Sequence, residues 1–195
     1  QPMAETGGEP IGSMGTDTPL AILSNRPQSL FNYFKQLFAQ VTNPPVDAIR
    51  EELIMSAGTT IGPERNLFDP QPSSAHQIEL HSPVLFNDEL ARLKALDGWR
   101  GFRSRTLSTV YPVADGARAL SEALDKLCDQ ASAALADGVQ ILILSDRAFN
   151  RDRAPIPSLL ACAAVHHHLL RVGTRTRACL VVESGEPREV HDFCL

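Results

Sequence analysis

The sequence predicts an α/β domain with parallel strands, assembled from (β/α) repeats behind an N-terminal arm and a helical segment. Three observations predict it. Val139-Gln140-Ile141-Leu142-Ile143-Leu144 is apolar at nearly every position, so both faces of that strand need covering, as in a parallel sheet flanked by helices. A second run, Ala178-Cys179-Leu180-Val181-Val182, ends in Glu183-Ser184-Gly185 much as the first ends in Ser145-Asp146-Arg147. Between them a helix is bounded by Pro157, pre-set for a first helical turn, and by Gly173, free to take a left-handed cap. Together these make a βαβ unit.

Taken in order, Gln1 to Thr18 is polar and rich in Gly and Pro, and reads as an extended arm preceding a domain over residues 19–195. Its Gly12-Ser13-Met14-Gly15 lacks the lysine of a phosphate loop, and no apolar strand precedes it. Leu20-Ala21-Ile22-Leu23 predicts a short strand. From Ser29, a suitable N-cap, Leu30, Phe34, Leu37, Phe38 and Val41 recur at helical spacing. With Phe31 and Tyr33 they predict a core-facing helix, which Asn43-Pro44-Pro45 ends because proline cannot continue the ladder. A second short helix, Val46 to Met55, should turn Val46, Ile49 and Leu53 inward and Asp47, Arg50, Glu51 and Glu52 outward. Ala57 to Ala75 has no periodicity and reads as a long loop of the functional or interfacial kind.

Ile78-Glu79-Leu80 predicts a strand. Asn87 is placed to cap a helix reaching Leu96, with Gly98 closing it and Trp99 as a packing residue. Phe102 to Val110 favours extended structure. The long helix from Gly116 to Ala136 should bury Leu120, Leu124, Leu127, Cys128, Ala131 and Leu135 and end at Gly138. From Phe102 onward the order is therefore β, α, β, α, β and the start of α, the alternation of a (β/α) fold. Pro187 to Leu195 begins a last helix and stops within two turns, with Phe193 and Leu195 still needing partners, so the sequence reads as a piece of a longer protein, truncated within that helix.

A length of 195 residues suits one domain with a proper core. A net charge of −5 argues against a nucleic-acid footprint, and the absence of any membrane-length apolar run or signal-like N-terminus argues against a membrane or secretory route. Cys128, Cys162, Cys179 and Cys194 lie at wide spacings with no CxxC, which predicts buried free thiols in a cytosolic protein rather than disulfides or an iron–sulfur cage.

In parallel β/α folds the working residues gather at the carboxyl ends of strands. That places Asp146 and Arg147 beside Glu183 and Ser184 on one rim. Two carboxylates there could form an acid and base pair; a structural ion pair or an inter-domain contact is the competing reading and is preferred, because Arg147 would keep Asp146 ionised. Cys162 and His166 share a helical face at a spacing that metal ligands use, but the histidines that follow, His167 and His168, turn about 100° apart, and no second cluster completes a zinc site. Ser184-Gly185 lacks the preceding glycine of a nucleophile elbow. No catalytic, cofactor-binding or metal residue is expected in the chain.

Several stretches go further. Phe34-Lys35-Gln36-Leu37-Phe38-Ala39-Gln40-Val41-Thr42-Asn43-Pro44-Pro45-Val46-Asp47-Ala48-Ile49-Arg50-Glu51-Glu52 closely resembles the signature of the central domain of glutamate synthase large chains. Gly12-Ser13-Met14-Gly15-Thr16-Asp17-Thr18-Pro19-Leu20-Ala21 fits the same family. So do Ala164-Val165-His166-His167-His168-Leu169-Leu170-Arg171, Arg175-Thr176-Arg177 and Val182 to His191. The resemblance covers nearly the whole chain in order and is thinnest over Asp69 to Ala136.

The resemblance implies a partial (β/α) barrel-like domain, similar in topology to the family's FMN-binding barrel but cofactor-free. Its parent would convert glutamine, 2-oxoglutarate and two electrons into two glutamates, using an amidotransferase domain and a synthase domain with FMN and a 3Fe–4S cluster. The central domain would link these two partners and surround part of the ammonia path, while the parent takes electrons from a small electron-transfer subunit or a ferredoxin. The location implied is cytoplasmic, or a plastid for a plant-type parent. Gly12, Ser13, Met14, Asn43, Pro44, Asp146, Arg147 and Glu183 are the candidate inter-domain or tunnel-adjacent residues. The competing reading is a stand-alone module that binds a flavin or phosphorylated ligand at the rim.

Overall fold

The computed structural model describes Glu5 and residues 19–36 and 46–195. Gly12, Ser13, Met14, Asn43 and Pro44 lie outside the described residues. The sheet that organises the rest contains β3 (Asp97–Trp99), β4 (Phe102–Ser108), β6 (Ile141–Ser145) and β8 (Cys179–Glu183), in the order β3-β4-β6-β8. The last three are parallel; β3 runs antiparallel against the start of β4. Register places Ser108, Ser145 and Glu183 side by side at the strand tips.

The apolar run of β6 is covered on both faces, whereas β8, at the end of the sheet, is half-buried and leaves Val182 exposed. On one face, α3 (Gly116–Ala136) and α4 (Ser158–Arg171) supply Leu127, Ala131, Ala134, Ala161, Val165 and Leu169, which close over Leu107, Leu142 and Leu144. On the other face, Ile141, Ile143 and Phe102 meet Leu90 and Leu93 of α2 (Asn87–Lys94) and Ile61 of β1 (Thr59–Ile61). β1 pairs antiparallel with β2 (Ile78–Leu80), and β5 (Val110–Pro112) with β7 (Arg153–Pro155). The predicted alternation holds: β4, α3, β6, α4, β8 and then α5 (Val190–Cys194).

Both long helices end in the way their glycines foretell. At α4 the Gly173 N–H reaches the Leu170 carbonyl at 3.0 Å and the Thr174 N–H reaches the Leu169 carbonyl at 2.8 Å, with Gly173 at φ 71°. This is the Schellman closure, and it needs a left-handed residue. Gly173→Ala is expected to cost about 1–2 kcal/mol, since open space surrounds the site and only the backbone conformation resists a Cβ. An unchanged urea midpoint would contradict it.

Several expectations are corrected. Leu20 to Leu23 forms a 3-10 turn at Ala21–Leu23 with Ile22 and Leu23 exposed; among the described residues no strand pairs with it to take its hydrogen bonds. The helix expected from Ser29 begins as a 3-10 helix at Leu30–Phe34, without a side-chain cap from Ser29. Its tighter turn buries Phe31 and leaves Phe34 exposed. Leu37, Phe38 and Val41 fall outside the described residues. The next helix, α1 (Ala48–Ile54), is capped as its sequence asks, Asp47 Oδ1 accepting from the N–H groups of Ile49 and Arg50 at 3.1 and 3.0 Å. Its expected inward stripe nevertheless faces out, with Ile49 86% and Leu53 84% exposed.

The long loop over Ala57 to Ala75 contains β1 and a 3-10 turn at Pro72–Ala75. Three residues are too few to show a period. Asn87 is the first residue of α2 rather than its cap; the turn is closed by the Phe86 N–H donating to Glu89 Oε2 at 2.8 Å. Gly98, at φ 85°, serves the reversal from β3 into β4 and does not end the helix. Trp99 is 56% exposed, with the Arg100 guanidinium 5.0 Å above its ring, so it is a surface residue.

Candidate functional site: the strand-tip ion network

The carboxyl ends of β6 and β8 bring together the rim residues that the sequence singles out. Glu183 ends β8 with 8% of its surface exposed. One oxygen, Oε1, accepts from Arg147 Nε at 2.6 Å. The other, Oε2, accepts from Lys94 Nζ at 2.6 Å and from the Ser145 hydroxyl at 2.5 Å. Arg147 then passes its Nη2 to Asn87 Oδ1 at 3.2 Å, which explains why Asn87 is not spent on a cap. One carboxylate thus ties β8 to β6, to the loop after β6 and, through Lys94, to α2.

Burial pushes the Glu183 carboxyl up, and the hydrogen bonds from Lys94, Ser145 and Arg147 more than offset it, holding the group below its ordinary range. Held ionised, with both oxygens occupied, Glu183 is poorly suited to move protons near neutral pH. Asp146 belongs to a second network. Its Oδ2 accepts from the Ser184 hydroxyl at 2.5 Å, and the Ser184 oxygen accepts from the Glu186 N–H at 3.1 Å. Glu186 Oε2 in turn takes the Ser158 N–H and hydroxyl at 2.6 and 2.8 Å, closing the first turn of α4. Arg147 therefore pairs with Glu183 rather than with its neighbour Asp146. The arrangement is an ion-pair lattice that fixes strand tips to helix ends.

Lys94, Ser145, Ser158 and Glu186 were not singled out from sequence. Lys94 and Glu183 are 89 residues apart, and nothing local to either announces the other. The Cys162 and His166 face is engaged in packing: burial raises the Cys162 thiol, and His166 Nδ1 accepts from Arg175 Nε at 3.0 Å. A ring nitrogen of His168 shares a hydrogen bond with the Ser132 hydroxyl at 2.7 Å. Among the described residues, no group of three or more His, Cys, Asp or Glu could hold a metal ion.

The sequence model of the family described as "Glutamate synthase central domain" matches residues 1–195. The chain belongs to that family. It is 47% identical over 192 residues to the glutamate synthase [NADPH] large chain of Bacillus subtilis, covering 98% of this chain and 12% of that protein. It is 41% identical over 195 residues to the glutamate synthase [NADH] of Saccharomyces cerevisiae, covering 100% of this chain and 9% of that one. To the chloroplastic ferredoxin-dependent glutamate synthase of Oryza sativa the identity is 44% over 197 residues, covering 99% and 12%. The chain thus spans about an eighth or less of the relatives it matches.

Among the described residues, neither the rim nor the cysteines fit the flavin and the iron–sulfur cluster that the resemblance implies for the parent. A flavin phosphate needs unspent N–H groups and cations, whereas the tips of β6 and β8 carry Asp146, Glu183 and Glu186, which already take the donors there. An iron–sulfur cluster needs converging thiolates. Cys128, Cys162, Cys179 and Cys194 come from four different elements; the first three are free thiols only partly covered, though burial still raises them, and Cys194 is exposed because the short last helix leaves it uncovered, which corrects the expectation of four buried thiols.

Proposed function

We propose that this chain is the noncatalytic link of a glutamate synthase large chain, holding an amidotransferase domain and an FMN-containing synthase domain in fixed relation. In that parent, glutamine, 2-oxoglutarate and two electrons yield two glutamates, and the FMN and 3Fe–4S cluster sit outside this domain. Ammonia released at one centre must reach the other without protonation or loss to bulk water. A packed intervening domain meets that need by geometry alone. The observation that carries this reading is the pairing of a family match over 1–195 with strand tips whose carboxylates are consumed in ion pairs and caps.

The finer parts of the reading belong to the same proposal. The three parallel strands are the opening of a barrel-like run similar to the FMN-binding barrel, residues 1–18 form the arm, and residues 19–195 belong to the domain. Gly12, Ser13, Met14, Asn43, Pro44, Asp146, Arg147 and Glu183 are its inter-domain or tunnel-adjacent contacts. The electron donor reaches the parent through a small subunit or a ferredoxin, the partner in the name of the rice relative. Among the described residues no helix is long and apolar enough to cross a membrane; the location proposed is the cytoplasm, or a plastid in a plant-type parent.

The test is activity by halves. The 195-residue chain alone is expected neither to release ammonia from glutamine nor to form glutamate, and FMN should leave its melting temperature unmoved. Turnover by the isolated chain, or a flavin-dependent rise in melting temperature, would overturn the noncatalytic reading.

A further inference from the structure

β4 presents an unusual edge. Its pairing with β3 is confined to Phe102 and Arg103, and the last contact on that side is the Ser104 N–H donating to the Leu96 carbonyl at 3.0 Å. Backbone groups alternate sides along a strand. The Arg103 carbonyl and the Thr109 N–H both bond toward β6, to Gln140 and Ser145, so the N–H and C=O groups of Thr106 and Ser108 point the other way. Among the described residues no strand lies there, and Thr106 and Ser108 are exposed while Leu107 between them is buried.

Beside that edge lies a cleft of about 600 Å³, between β4 and α3. Leu107, Val110, Ala123 and Ala133 contribute apolar wall, and its cations are Arg105, Lys126 and Arg153. Arg105 is held by Asp137 at 2.8 Å. No carboxylate lines the cleft itself.

We propose that the free edge of β4 receives an extended, acidic segment of the same large-chain polypeptide, which adds a strand beside Thr106 and Ser108. This rests on the reading of the chain as one domain of a longer polypeptide. The backbone decides between a strand and a small anion. An anion satisfies the outward N–H groups but leaves the outward carbonyls without donors, whereas a strand completes both. Charge decides the chemistry of its side chains, since Lys126 and Arg153 favour acidic residues at alternate positions. Length supplies the source: relatives are about eight to eleven times longer than this chain, and a tethered segment has a high effective concentration at the edge. Left bare, an edge of this kind invites pairing with other molecules.

The experiment is amide hydrogen exchange on the intact large chain that carries this sequence, resolved at Thr106 and Ser108, in wild type, in Thr106→Pro and in a Lys126→Glu/Arg153→Glu pair. Thr106→Pro deletes an outward N–H and leaves the N–H donors of the β4–β6 ladder in place. In wild type both amides should exchange at least about a hundredfold slower than an unstructured chain, independently of protein concentration. The charge-reversed pair should lose about tenfold of that protection at Thr106 and Ser108, and Thr106→Pro the same at Ser108, while Leu142 and Ile143 keep theirs. Exchange at unstructured rates in wild type overturns the proposal. So does protection that depends on concentration, which marks a second copy, protection that appears only on adding a tricarboxylate such as citrate, or a parallel loss at Leu142 in the charge-reversed pair. Glutamate formation by the same wild-type preparation reports separately on the domain reading: activity with an unprotected edge sinks the strand alone, and an inactive preparation with a protected edge sinks the domain reading alone.

Discussion

Leu142→Ala is expected to lower the unfolding free energy of this chain by about 3–5 kcal/mol, among the largest effects of any single substitution here. Leu142 is fully buried in the strand between β4 and β8, and α3 and α4 close over it from one side. Its neighbours on those helices are backed by their own ladders and cannot collapse into the space, so the lost transfer energy and the cavity add. Ile143→Ala should cost about as much from the opposite face, where α2 and β1 provide the cover. Urea unfolding followed by circular dichroism measures both, and a loss below about 1 kcal/mol at either position would contradict two-sided burial.

Glu183→Leu should cost about 2–3 kcal/mol, because it strands Lys94 and the Ser145 hydroxyl at a half-closed tip without an acceptor. The figure is kept below that of a fully buried pair because Arg147 is 63% exposed and water can solvate it. The pH dependence has a definite sign. A carboxyl whose pKa is lowered by folding contributes stability that is fully present above its ordinary value and is lost as pH falls through the lowered one. Wild type should therefore lose stability as pH drops below the ordinary carboxylate range, and Glu183→Gln should flatten that slope. Parallel slopes in the two proteins would remove Glu183 as the cause.

How much of this was legible in the sequence follows from where each signal is stored. The helix Gly116 to Ala136 and the βαβ unit after it could be read because period, caps and apolar runs are local, and the structure keeps their limits almost unchanged. Ile49 and Leu53 misled for a different reason. An apolar stripe states that a helix face needs covering and says nothing of what covers it, so a face left open in this chain reads like a core face. In the segment after Ser29 the 3.6 period puts Phe34 on the core stripe, whereas the 3-10 turn buries Phe31 and leaves Tyr33 and Phe34 exposed. At the site, Asp146, Arg147 and Glu183 were placed by the rule that strand ends gather, but Lys94 enters from a helix on the far face of the sheet. Only the assembled fold brings it near.

The apolar sequence of β6 has a cost that its polar end resolves. Ile141 and Ile143 face one core while Leu142 and Leu144 face the other. A slip by one residue would exchange greasy side chains for greasy side chains on either side, so hydrophobicity alone barely penalises it. Ser145 cannot be traded in this way: its hydroxyl meets Glu183 and its carbonyl takes the Thr109 N–H only in one alignment. The polar tip thus acts as a detent for the strand, and mutants that disarm it should show frame-shifted sheets before they show unfolded ones.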